Sequence, residues 1–301
     1  MTEISIPAAG KTFSIPSSWS EMTDDQIQFV FKTMDFCSSQ QKSLLEFNIR
    51  TLYYLMNIEV SPHTALISRL FPDKAQRIAE NTFRLAEDCL GFLFVDKEDR
   101  DKPELSYSLI RNSLPVLKTR GLIGQPLVGP ADLLQNITFG EFRRAVSSQQ
   151  AFFKSKDVAD LDEMIAHLYR PRARRSNKAG RHVTSFRTER FAKEVKAVAS
   201  IPSWQKNLVL MWFSNCIKFL QTETLEINGE EIDMASLFSG CSSGGPSFGW
   251  NDLAVQIARE SIIGNVSDVD EEPLFSIISI MWTNHKENKQ YESLHKAAKS
   301  K

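Results

Sequence analysis

The stretch that decides the fold runs from Leu161 to Leu220. It opens with LDEMIAHLYRP (161–171), continues through RPRARRSNKAGRHVTSFRTERFAKEVK (170–196), and reaches WQKNLVLMWFSNCIKFL (204–220). The first piece has helical periodicity and stops at Pro171, which has no amide to donate to a helix. The last piece carries Trp204, Leu208, Met211, Trp212, Ile217, Phe219 and Leu220 around most of a helical circumference, so it belongs in the core. Between these two core helices lies a strongly basic strip. From Arg170 to Lys196 ten Lys and Arg face only Glu189 and Glu194, a local net charge of +8.

Working toward the C-terminus, Asn251 is placed to cap a helix reaching Ile263, closed by Gly264. A final helix begins near Glu272. It is apolar from Leu274 to Trp282, which suits docking on the 204–220 helix, and polar from Asn284 onward. Its polar half keeps Tyr291, Leu294 and Ala297 in a thin stripe, fit for a partner helix rather than a closed core.

Toward the N-terminus, Thr138 and Glu141 form a capping box for a helix whose buried side is marked by Phe139, Phe142, Val146, Phe152 and Phe153. Asp157, Asp160, Asp162 and Glu163 crowd the next helix start, where negative charge meets the positive end of the dipole. Residues 91–135 are broken repeatedly by Pro115, Gly121, Gly124, Pro126, Gly129 and Pro130, and read as a small sheet or irregular arm. Helices are expected from Thr23, again with a capping box, from Gln40 to Met56, from Pro62 to Leu70 and from Asp73 to Cys89. Residues Ile4 to Ile15 alternate around a turn and read as a hairpin. The expectation is a mainly α protein: a helical bundle-like core with a minor β element, in an N-terminal α+β region 1–135 and a C-terminal helical domain 136–301.

Composition sets bounds on function. The 42% hydrophobic and 24% charged fractions over 301 residues are those of a globular chain, and a net charge of −1 argues against a protein that coats nucleic acid. Cys37, Cys89, Cys216 and Cys241 are scattered without a CxxC pair, so reduced thiols and no metal site are expected. The N-terminal MTEISIPAAGK has no apolar h-region, and the longest apolar run falls short of the roughly 20 residues of a membrane span. A cytoplasmic protein without a membrane partner follows. Gly10-Lys11-Thr12 lacks the spaced glycine and the following helix of a phosphate loop, and there is no GxSxG. His167 sits beside Leu168 and Tyr169 and reads as a structural histidine. No catalytic set and no cofactor motif emerges, and a non-enzyme is expected.

The basic strip is the candidate contact surface, through Arg170, Arg172, Arg174, Arg175, Lys178, Arg181, Arg187 and Arg190. Such residues can neutralise phosphates, with binding that weakens steeply in salt, or they can meet a protein. Phe186 and Phe191 supply little of the aromatic interleaving that single strands favour.

Three stretches together carry a resemblance: ADLDEMIAHLYRP (159–171), IPSWQKNLVLMWFSNCIKFL (201–220) and GWNDLAVQIARESIIGNVSDVDEEPLFSIISIMW (249–282). They resemble proteins encoded among the tail genes of phages and prophages of the Bacteroidetes. The last is also similar to phage tail assembly chaperones, where a tryptophan precedes a short helix and then a longer apolar one; the matching positions are Trp250, Leu253, Ile257 and Phe275. The resemblance spans about 138–290. It implies a protein of the host cytoplasm that binds the tape-measure protein, or a tail or connector component retained in the virion. Nucleic-acid binding by 170–196 is the competing expectation.

Overall fold

The computed structural model describes residues 1–6, 10–58, 72–95, 104–119, 125–238, 250–259 and 263–299, and it is mainly α with small antiparallel sheets. The expected helix at 62–70, the pattern-breaking Gly121 and Gly124, and Cys241 lie outside the described residues. By its contacts the chain divides into two compact units. One comprises Met1–Leu109 with Pro202–Trp212, the other Ile110–Ile201 with Phe213–Lys301.

In the first unit, strands β1 (Thr2–Ile6) and β2 (Lys11–Ile15) pair antiparallel with Ile4 opposite Phe13. Their alternation buries Ile4 and Ile15 on one side. Thr23 then starts α1 (Asp24–Ser39). Its hydroxyl accepts from the Gln26 amide at 3.3 Å, and the Gln26 side chain accepts from the Thr23 amide at 2.9 Å. The helix α2 (Leu44–Leu55) begins later than its apolar pattern suggests, because Gln41 adopts a left-handed conformation (φ 51°) that no helix continues through. Helix α3 (Pro72–Leu90) packs on α2, and α2 on α1. Ile27, Val30, Phe31, Phe47 and Leu52 close the core, with Trp19 set edge-on to Tyr107 at 5.1 Å. Phe92–Val95, strand-like in sequence, is one turn of 3-10 helix (Gly91–Leu93) followed by a single bridge from Phe94 to Leu105.

The second unit explains why a cut near 135 does not match the fold. Strands β3 (Val116–Leu117) and β4 (Leu127–Val128) form a sheet whose third member, β5 (Arg170–Pro171), follows two helices, α4 (Phe139–Ser155) and α5 (Val158–Leu168). Leu127 pairs with Pro171 and Val128 with Arg170, so the 110–135 arm is tied to the helical part. The Thr138–Glu141 capping box opens α4, and Asp157 accepts from the Ala159 amide to open α5. Phe139 and Phe142 are buried against Trp250, whereas Phe153 is 48% exposed and not core.

Helix α6 (Thr188–Ala199) packs on α5, and α7 (Ser203–Thr222) follows. Strands β6 (Thr224–Ile227) and β7 (Glu230–Asp233) make a hairpin, then come α8 (Met234–Phe238), α9 (Trp250–Arg259), α10 (Val266–Glu271) and α11 (Leu274–Lys299). Gly264 lies just before the Asn265 cap of α10. Helix α11 buries Leu274, Ile277 and Ile278. Its neighbours include α4 and α8. Trp282 is half-buried, its indole donating to Glu230 at 2.9 Å, so it is no core anchor.

Candidate interaction site

Helix α5 ends where Tyr169 leaves the helical conformation, its buried hydroxyl donating to the Leu114 carbonyl at 2.9 Å. Chain direction then turns Arg170 inward, and its side chain is fully buried. Its guanidinium donates to the carbonyls of Thr184 (2.8 Å) and Ser185 (3.0 Å) and lies 3.3 Å from Glu194 on α6. Burial pushes the Glu194 carboxyl up and the Arg170 guanidinium down from their ordinary values, as desolvation of a charged pair must. A second buried arginine, Arg181, donates to the Leu168 carbonyl at 2.7 Å in the last turn of α5 and sits 2.7 Å from Glu141. Glu141 therefore serves twice. One oxygen accepts from the Thr138 amide in the capping box, and the other faces Arg181.

These two inward arginines fold the strip between them. Pro171 to Thr184 doubles back with a bridge between Arg172 and Val183, and the Ala173 amide donates to the His182 carbonyl at 3.0 Å. The Gly180 amide donates to the Asn177 carbonyl, with Gly180 at φ 82°, which a residue with a Cβ rarely adopts. The basic strip is thus a hydrogen-bonded hairpin.

Arg172, Arg174, Arg175, Lys178, Arg187 and Arg190 are exposed; Arg170 and Arg181 are not, and cannot meet a partner at the surface. Lys178 is ion-paired with Glu272 at 2.7 Å. Beside the hairpin, Asp270 of α10 accepts from Arg143 (2.6 and 2.7 Å) and Arg144 (2.8 Å). Arg144 also lies over the Phe186 ring at 4.2 Å. A polar cleft of about 330 Å³ opens here, lined among others by Glu141, Arg144, Lys178, Phe186, Asp270 and Glu271. Its charges are already opposed to one another.

His167 is buried against Phe191 at 4.2 Å. Burial first, then the charges of Arg144, Arg170 and Arg143, hold its pKa down to about 3. It is neutral at any physiological pH. The partners Glu141, Glu194 and Asp270 were not among the expected site residues; each sits on a helix where an exposed carboxylate would look the same in sequence.

At the far end, Tyr291 and Leu294 on α11 are 69% and 67% exposed. No cluster of His, Cys, Asp and Glu among the described residues is arranged to hold a metal ion, and no described helix is long and apolar enough to cross a membrane. No family model, no curated protein and no solved structure matches the chain.

Proposed function

We propose that the protein works by binding other proteins in phage tail assembly, as a chaperone or scaffold for a helical tape-measure protein or as a tail or connector component. It would do so in the host cytoplasm and without catalysis. The resemblance over 138–290 supplies the setting. The observation that carries the binding role is the last helix. Its first turns are packed through Leu274, Ile277 and Ile278, and it then continues outward with Tyr291 and Leu294 exposed three residues apart. Adjacent apolar side chains on one helical face are what a partner helix reads. The test is co-expression and co-purification with a candidate tape-measure protein. Replacing both Tyr291 and Leu294 by Glu should weaken co-purification about tenfold or more. Because both side chains are exposed, the melting temperature should move by no more than a few degrees. Unchanged co-purification would show that this face is not the contact, and a collapse in melting temperature would show that it belongs to the fold.

A second reading is nucleic-acid binding. It is favoured by the outward set of Arg172, Arg174, Arg175, Arg187 and Arg190, which the inward pair leaves at the surface. On this reading, duplex binding followed by fluorescence anisotropy falls steeply between about 50 and 200 mM salt, by counterion release. Absence of binding at the lower salt removes it.

A further inference from the structure

A groove of about 280 Å³ runs alongside α6 and borders the polar cleft at Thr184. Its described walls include Leu127 of β4, Pro171 of β5 and Ala197 of α6, with Lys193 and Arg190 on the same helix face one and two turns back. Glu194 is the single acid among these walls. It is 8% exposed and turned to Arg170, so it offers the groove little free charge. Neither Arg190 nor Lys193 is ion-paired to a described residue. An apolar floor flanked by two exposed cations describes a receptor for something apolar and negatively charged.

We infer that this groove docks an acidic segment of a partner protein, seating one apolar side chain over Leu127, Pro171 and Ala197 and placing flanking carboxylates on Arg190 and Lys193. A protein segment fits better than a nucleic acid because no aromatic ring is among the described walls to stack a base, while an aliphatic slot accepts Leu or Phe. The surface is separate from the exposed face of α11 and stands whether or not that face binds a tape-measure protein.

The test uses the full chain and a short fluorescein-labelled peptide with one Phe set among Asp and Glu residues, followed by anisotropy. Two control peptides change Phe to Ser, or the acids to Asn and Gln; oligothymidylate is the nucleic-acid probe. The expected result is binding of the parent peptide only. The Ala197→Phe variant, which fills the floor, and the Arg190→Glu/Lys193→Glu variant should each weaken it by about tenfold or more. Arg190 and Lys193 are exposed and Ala197 is part-exposed at the groove, and thermal melts check that each variant folds. The Tyr291→Glu/Leu294→Glu variant should bind the peptide as the parent chain does, which separates this site from the α11 contact. Equal binding of the Ser peptide, equal binding by folded Ala197→Phe, or no binding of the parent peptide overturns the proposal. Tighter binding of oligothymidylate that is lost in Arg190→Glu/Lys193→Glu overturns it in favour of nucleic acid.

Discussion

His167 stacks on Phe191 while three arginines repel any proton on its ring. In the unfolded chain the imidazole titrates near the ordinary histidine value of 6.5; in the folded chain it titrates near 3. Between those values the unfolded state holds a proton that the folded state refuses, so stability falls as pH drops from 6.5 toward 3. Each pH unit in that window removes about 1.4 kcal/mol. Urea unfolding at pH 7 and pH 5 should therefore show a loss of about 2 kcal/mol that is absent in His167→Phe. Parallel losses in the two proteins would mean that the ring is accessible to protons. A structural histidine was readable from its place among Leu168 and Tyr169. The fate of the arginines was not. Nothing local separates Arg170 and Arg181 from Arg172 and Arg174; the inward pair is chosen by Glu194 and Glu141, carboxylates distant in the chain. Removing one member of such a pair strands a buried charge, which is why the hairpin they anchor holds its shape.

Helix α4 meets α10 at Gly140. A Cβ there would stand 2.7 Å from the Asp270 Cβ and 2.8 Å from an Arg144 guanidinium nitrogen. Helix propensity alone makes Gly→Ala stabilising by about 1 kcal/mol. The close approach reverses the sign, and Gly140→Ala should destabilise by about 1–3 kcal/mol, because Asp270 is held between Arg143 and Arg144 and has no room to yield. Gly91→Ala, with nothing within 4 Å of the new atom, is the comparison. Denaturant midpoints of the two variants decide it; a stabilised Gly140→Ala would mean that the helices separate freely. Elements with local signals were legible, the Thr23 and Thr138 capping boxes above all. Asn228-Gly229 is a strong hairpin dipeptide, and both residues do take positive φ (55° and 79°) between β6 and β7. The run of glutamates around it masks the alternation that would have announced strands. The three-stranded sheet had no such announcement. Each of its pairings is two residues long, and its third strand is an Arg-Pro dipeptide that ends a helix.

At the scale of the molecule, Cys37, Cys89 and Cys216 are, among the described residues, buried free thiols whose pKa values burial raises. A disulfide reagent reaches such thiols only when the surrounding structure opens. Cys37 and Cys89 belong to the first unit and Cys216 to the second, so their labelling reports the two units separately. Helix α7 runs unbroken from Ser203 to Thr222, although membership changes between Trp212 and Phe213. Breaking a helix in mid-course forfeits backbone hydrogen bonds on both sides. Cys37 and Cys216 should therefore become reactive over the same urea range in a peptide-resolved labelling series; well-separated midpoints would mean that each half of α7 melts alone. No linear cut could have revealed this arrangement, because apolar periodicity shows that 204–220 is core without showing whose core. The shared helix also sets an order of events on the ribosome. The first unit has its N-terminal part made by Leu109, yet the segment that completes it, Pro202–Trp212, emerges only after the intervening chain has been translated. At about 5–20 residues per second that delay is on the order of 5–20 s. For that interval the nascent chain carries an unfinished apolar surface, and a holdase that shields it would act on the first half of the protein while the second is still being written.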